Sequence, residues 1–240
     1  MTLLVVLPTY NERPNIERVA QAILRHDFTR LLVVDDGSPD GTGDIADALA
    51  AKSSGRMEVL HRIGARGLGL SYVDGLRRAL ATDAEAIGQM DADLSHDPKY
   101  LPDLVAALER YDLVIGSRYL RGISVVNWPL HRIALSAFAN RYIRFITGLS
   151  AHDCTSGFRV WRREALAKMP LDHAKAGGYA FLTEMLYAAA HGGCRIGEVP
   201  IVFVERAEGY SKVSGHVLVE SLLMPWRLVM RGGRVKRPTT

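Results

Sequence analysis

The chain has 240 residues, enough for one large domain or two small ones with a real core. Its 48% hydrophobic content excludes a disordered chain, and its two cysteines give no sign of a disulfide framework or a cysteine metal cluster. The formal net charge is only +4; the opening stretch turns polar too soon for a signal peptide, and no run reaches the roughly 18–20 apolar residues of a membrane span, so a reducing cytosol is expected.

Short β-branched runs at 3–8, 31–36, 57–62, 86–91 and 112–117 predict strands buried on both faces. Helical stretches at about 15–26, 42–52, 69–82 and 99–110 separate them. Strand–helix alternation at this spacing predicts a mostly parallel sheet with helices on both faces. Ligands of such sheets sit at the carboxyl ends of the strands. Polar clusters fall at those ends: "PTYNE" after the first strand, "DDGSPDGT" after the second, "DADLSH" after the fourth and "SRY" after the fifth. Four clusters at one edge predict a site rather than four ordinary turns.

From about residue 120 the pattern changes. "NWPLHRIALSAFANRYIRFITG" reads as a long helix with Pro129 near its start. There follow the segment "DCTSGFRVWRREAL", a helix around 179–191 and a β-like "EVPIVFVER" over 198–206. A last apolar helix spans 216–230, with Pro225 expected to kink it. The expected organisation is a catalytic domain over 1–215, including the helix near 129–147, and a C-terminal helix with a basic tail over 216–240. That tail holds Arg227, Arg231, Arg234, Lys236 and Arg237 without an acid. It is either a solvated end or a surface for anionic lipid or nucleic acid. Trp128, Phe138, Phe145, Trp226 and Met230 add apolar surface suited to resting on a membrane.

The crowding of Asp91, Asp93 and Asp97 after the fourth strand needs relief. A divalent cation would supply it, and so would a tight turn capping the next helix. Oxygen ligands suit Mg²⁺ or Mn²⁺ rather than zinc, with His96 read as a loop residue. At the second strand end, Asp40 or Thr42 can cap the next helix. That reading leaves the adjacent Asp35 and Asp36 unexplained, and one of them could accept hydrogen bonds from a nucleobase or ribose. The glycines of "GARGLG" lack both the G-x-G-x-x-G order and a P-loop ending, against a dehydrogenase or P-loop enzyme. Arg132, Ser136, Asn140 and Arg144 form one polar stripe at four-residue spacing. The stripe is either the wet side of an amphipathic helix or, through Arg132 and Ser136, a phosphate clasp. Arg118, Arg206 and Lys212 add positive charge. Acids at one place and bases at another predict a metal-bound diphosphate donor facing a second, anionic substrate.

The stretches "LPTYNE", "VVDDGSPDGT", "RGLG", "DADLSHDP", "IGSRY", "NWPLHRIALSAFAN", "DCTSGFRVWRR" and "EVPIVFVERAEGYSK" occur in order over about residues 3–215. Together they resemble the polyprenol-phosphate (dolichol-phosphate) mannose synthases of glycosyltransferase family 2, of the compact bacterial type without transmembrane helices. The resemblance implies an α/β GT-A (Rossmann-like) fold, with a mostly parallel sheet, helices on both faces and C-terminal amphipathic interface helices. It assigns Pro8, Tyr10, Glu12, Asp36, Asp91, Ala92, Asp93, Arg118, Arg206 and Lys212 to the nucleotide sugar. It gives Arg118, Arg132 and Ser136 to the acceptor phosphate, and Asp91, Asp93 and Ser95 to Mg²⁺ or Mn²⁺. Asp91, Asp93, Arg118, Arg132 and Lys212 would carry catalysis. The implied reaction is inverting transfer of mannose from GDP-mannose to a polyprenyl monophosphate, on the cytoplasmic face of a membrane touched peripherally. A nucleic-acid partner does not fit the acidic strand ends. The alternatives are a UDP-glucose-dependent polyprenyl-phosphate glucosyltransferase and a non-catalytic nucleotide-sugar or anionic-lipid binding module.

Overall fold

β1 (Leu3–Thr9) is apolar at nearly every position, and the structure, a computed structural model, buries all of it. Residues 1–171, 179–205 and 215–235 are described. The pleat sends alternate side chains to opposite faces. Leu3, Val5 and Leu7 join a core with Ile16 and Val19 of α1 (Ile16–Leu24), while Leu4 and Val6 join another with Tyr72 and Leu76 of α3 (Leu68–Leu80). A strand buried on both faces has no polar side, which is why the run reads as continuously hydrophobic. α3 approaches closely because of Gly75: a Cβ there would lie 2.5 Å from Val6 and 2.8 Å from Val34.

β2 (Thr29–Asp35) and β4 (Ala86–Gln89) flank β1 in parallel, and β3 (Met57–His61) lies outside β2. α2 (Thr42–Ala51) joins β2 to β3, and α4 (Leu101–Ala107) follows a single 3₁₀ turn at Pro98–Tyr100. β5 (Leu113–Ser117) pairs in parallel with β8 (Ile196–Pro200). The five strands expected from the first half are all present, with ends shifted by at most two residues.

β5 does not pair with β4. Between them lies β7 (Arg159–Arg162), antiparallel to both, giving the order β3-β2-β1-β4-β7-β5-β8. The segment "DCTSGFRVWRREAL", left unassigned by pattern, thus supplies a central strand. Its short length and arginine-rich wording hide it: Arg159 is fully buried, donating to the carbonyls of Cys154, Ser156 and Leu182. The stretch expected as β over 198–206 is two pieces. β8 ends at Pro200, and β9 (Phe203–Val204) pairs instead with β6 (Val125–Val126).

α5 (Leu130–Thr147) starts after Pro129 and ends at Gly148, whose φ of 82° is the left-handed value that glycine favours at helix ends. After α6 (Arg163–Leu166) and α7 (Tyr179–His191) comes α8 (Gly215–Gly232), with Pro225 inside it. α8 packs on α5 and α7. Trp226 Nε1 donates to the Tyr142 hydroxyl, which donates to the Leu222 carbonyl, each at 2.8 Å, and Tyr187 donates to Leu228 O. Among the described residues, no helix is long and apolar enough to cross a membrane.

Candidate active site

The carboxyl ends of β1, β2, β4 and β5 face one edge, so their polar turns meet there. After β4, the chain turns through Asp91, Ala92, Asp93 and Leu94, the last with φ 61°. Asp91 is held from two sides. The Tyr72 hydroxyl donates to its Oδ1 at 3.0 Å, and its own backbone N–H donates to His96 Nδ1 at 3.3 Å. Burial, reinforced by the charge of Asp91, raises the Tyr72 pKa well above the ordinary tyrosine value, so the phenol keeps its proton to donate. Burial lowers the His96 pKa against the pull of Asp91. The ring is therefore neutral at pH 7, with Nδ1 able to accept, and it stacks on Phe158 at 5.2 Å. Gly157 closes the turn from above, since a Cβ there would sit 3.3 Å from Asp91 Oδ1.

Ser95 donates its hydroxyl and its backbone N–H to Asp93 Oδ1, at 2.5 and 3.1 Å. In this structure it orients the carboxylate expected beside it at the metal. Asp91 and Asp93 offer oxygen donors, the chemistry that hard cations prefer. Among the described residues, no cluster of three or more histidine, cysteine or acidic side chains is arranged for a metal. The donor set thus fits a cation completed by water and diphosphate oxygens, not one caged by protein alone.

Arg118 follows β5. Its Nε and Nη2 each reach a different oxygen of Asp153 at 2.7 Å, and Nη2 also donates to Thr155 Oγ1. Burial would raise the Asp153 pKa, yet the Arg118 guanidinium and its hydrogen bonds hold the acid below the usual carboxylate value. Asp153 is set in turn by Glu198, which accepts from the backbone N–H groups of His152 and Asp153. Asn140 of α5 accepts from Cys154 N at 2.7 Å, so the buried member of the polar stripe anchors this loop.

Arg132 lies over the Trp128 ring at 4.2 Å and pairs with Glu205. Ser136 accepts from the Tyr119 hydroxyl at 2.7 Å. Trp128 is turned inward rather than outward as expected: it packs edge-on against Phe203, with Arg118 5.7 Å from its ring. Asp91, Asp93, Ser95, Arg118, Arg132 and Ser136 all line one cavity of about 360 Å³. Its remaining walls are largely apolar, formed by Leu135, Phe138, Tyr142 and Ile143 of α5 with Leu222 and Met224 of α8.

Pro8, Tyr10, Glu12 and Asp36 do not line this cavity. They belong to neighbouring turns on the same sheet edge. Pro8 is buried within β1, and Ala92 is buried as well. Glu12 accepts from Asn15 Nδ2, at the start of α1, while its N–H donates to Thr42 Oγ1. The adjacent acids divide their work. Asp35 ties the turn by accepting from Ser38 and Thr9. Asp36 faces Arg62 and accepts from Gly67 N at 2.8 Å. Arg66 bridges the turns by donating to the Tyr10 hydroxyl at 2.8 Å and to Gly37 O, its guanidinium 4.8 Å from the Tyr10 ring. Arg62, Arg66, Tyr72, Asp153 and Glu205 were not singled out by sequence reasoning. Arg62 lies just before the glycine-rich loop and Arg66 lies within it, and that position was the available signal. Arg206 and Lys212 lie outside the described residues, as do Lys236 and Arg237 of the tail.

Residues 4–169 match the family model described as "Glycosyl transferase family 2". A polyprenol monophosphomannose synthase from Mycolicibacterium smegmatis is 42% identical, over 95% of this chain and 87% of its own. An undecaprenyl-phosphate mannosyltransferase from Micrococcus luteus is also 42% identical, over 96% of both chains. Among solved structures, a mannosyltransferase from Pyrobaculum calidifontis in complex with GDP-Man and Mn²⁺ shares the fold at a TM-score of 0.65 and 21% identity, covering 98% of this chain and 65% of that one.

Proposed function

The chain belongs to glycosyl transferase family 2, and from that premise we propose that it transfers mannose from GDP-mannose to a polyprenyl monophosphate, with inversion at the anomeric carbon. The observation that carries this reading is the two-sided character of one cavity. Arg118, Arg132 and Ser136 suit a phosphate, and the wall of α5 and α8 suits the apolar chain attached to it. The names of the two 42%-identical relatives support both the sugar and the lipid class. The donor would lie along the strand ends, its nucleoside by Pro8, Tyr10, Glu12 and Asp36 and its diphosphate by Asp91, Ala92 and Asp93, with Arg206 and Lys212 as further phosphate partners.

A phosphate monoester has its second pKa near ~6, so the acceptor needs no dedicated general base at neutral pH. One acceptor oxygen forms a bond to the anomeric carbon as the bond from that carbon to the diphosphate oxygen breaks. The electron pair leaves with GDP, and the α-linkage of the donor becomes a β-mannosyl phosphate. Arg118 and Arg132 hold the acceptor in line against its repulsion from the donor. The apolar walls limit water, which would otherwise compete for the sugar. A divalent cation, Mg²⁺ or Mn²⁺, bound by Asp91 and Asp93 with Ser95 beside them, would neutralise charge on the departing diphosphate.

The membrane role belongs to the same proposal. Phe138, Phe145, Trp226 and Met230 are 60%, 73%, 50% and 77% exposed on the paired helices α5 and α8. Arg227, Arg231 and Arg234 accompany them. Such a face suits peripheral contact with an anionic bilayer, with residues 1–215 as the catalytic domain and 216–240 as interface helix and basic tail. GDP-mannose and the lipid would then meet at the cytoplasmic surface.

The test is incubation with labelled GDP-mannose or UDP-glucose, a polyprenyl phosphate and Mg²⁺ or Mn²⁺, followed by lipid extraction and assignment of the anomer. A β-mannosyl lipid is expected. A preference for UDP-glucose would overturn the donor, and absence of any labelled lipid would overturn the reaction.

A further inference from the structure

The guanidinium proposed for the acceptor phosphate already carries an anion. Both carboxylate oxygens of Glu205 lie 2.5 Å from Arg132 Nη1. The pair is built in. Glu205 N donates to Val126 O at 3.1 Å, extending the β6–β9 pairing, and α5 begins a few residues after Val126. Trp128 lies between them, under Arg132 and edge-on to Phe203. One short ribbon therefore sets both partners, and both line the cavity beside Ser136.

A carboxylate and a phosphate ask for the same guanidinium fork. Held side by side in a partly desolvated site, they would repel each other. We infer that Glu205 is a resident counter-anion, which occupies Arg132 until the acceptor phosphate displaces it and so sets the affinity for the acceptor. This rests on the acceptor role proposed for Arg132. Displacing Glu205 weakens every competing anion by the same factor, the closed fraction acting as a common penalty. A small anion such as inorganic phosphate gains nothing to offset it. An acceptor whose chain also buries apolar surface against Leu135, Phe138 and Leu222 does. Glu205 thereby keeps the site empty at anion concentrations that would otherwise fill it, while the preference for a ligand that brings a lipid chain comes from the apolar wall.

The experiment is calorimetric titration of a water-soluble, short-chain prenyl monophosphate into wild type, Glu205→Gln, Arg132→Ala and the double variant, without donor. Glu205→Gln is expected to bind about fivefold tighter, the scale of a partly exposed ion pair. In the Arg132→Ala background the Glu205 substitution should gain less than it does in wild type, because only its direct repulsion of the phosphate is left to relieve. Weaker or unchanged binding by Glu205→Gln, with Arg132 still required, overturns the counter-anion and leaves the acceptor role standing. Equal binding by wild type and Arg132→Ala removes that role and the inference with it. Mannosyl transfer is not needed for the readout, so a failed transfer assay bears on the proposed reaction alone.

Discussion

Replacing Asp153 by Asn removes one charge and leaves the side-chain shape intact. Asp153 is fully buried, and Arg118 opposite it is 9% exposed. The carboxylate accepts from Arg118 Nε, Nη2 and backbone N, and from the Thr155 N–H. An amide can answer only part of that donor set and turns an NH₂ toward a guanidinium. Breaking one side of a buried pair costs about 3 kcal/mol or more. In a domain of this size each kcal/mol moves Tm by about 2–4 °C, so a fall of about 6–12 °C is expected. Turnover should fall as well, because Arg118 loses the partner that aims it at the cavity. The acid limb gives a second reading. The folded-state pKa of Asp153 lies below its ordinary value, so its contribution is complete above the unfolded pKa of about 3.9 and is lost as pH falls through the folded one. Wild-type stability should therefore decline at acid pH, with a slope that Asp153→Asn reduces. Differential scanning calorimetry from neutral to acid pH measures both. An unchanged Tm together with an unchanged acid limb would refute the reasoning.

Tyr72→Phe removes the hydrogen bond that a fully buried phenol donates to the partly exposed Asp91 Oδ1, and about 1 kcal/mol of orientation should be lost. The expected readout is a metal titration of turnover shifted to higher concentration, with the melting curve nearly unchanged; an unshifted titration would deny the positioning role. Arg132→Ala should raise the KM for the prenyl phosphate by tenfold or more and leave GDP affinity intact, since a charged fork on phosphate outweighs a neutral hydrogen bond. Steady-state kinetics with each substrate varied decides whether Arg132 belongs to the acceptor or to the donor. Replacing Phe138, Phe145 and Trp226 by serine should abolish flotation with anionic vesicles at low salt, and wild type should detach as salt rises. Flotation unaffected by the triple substitution would restrict these helices to closing the cavity.

The edge of the sheet was legible because β1, β2, β4 and β5 are buried on both faces. β1, β2 and β5 read as runs of leucine, valine and isoleucine, and β4, with glycine and glutamine in AIGQ, is marked more by the acids that follow it. Asp91 and Asp93 stood out for the same reason: acids directly after an apolar run need an explanation. β7 was not legible, because Arg159 and Arg162 dilute a strand only four residues long. A buried arginine is satisfied by carbonyls that only the tertiary structure brings near, so no local pattern announces it. Asp36 was legible as an acid at an edge, while Arg62, its partner, comes from a different strand end. The stripe on α5 was read as one polar face. The fold divides it, since Arg132 and Ser136 reach the cavity while Asn140 is buried and anchors the loop at Cys154. Periodicity gives a direction around a helix but not the neighbour in that direction.

The place of β7 between β4 and β5 has a consequence for how the molecule is made. β3, β2, β1 and β4 are contiguous in the sheet and complete by residue 89, so half of the sheet can form from a short nascent chain. β5 has been synthesised by residue 117 but has no place to dock until residues 159–162 emerge, and its outer neighbour waits for residues 196–200. The acids after β4 and the arginine after β5 are therefore brought into register by a segment translated after both. Until that bridging strand arrives, the outer edge of β4 and both edges of β5 have no strand partner, and long-range closure of this kind is the slow step of sheet assembly.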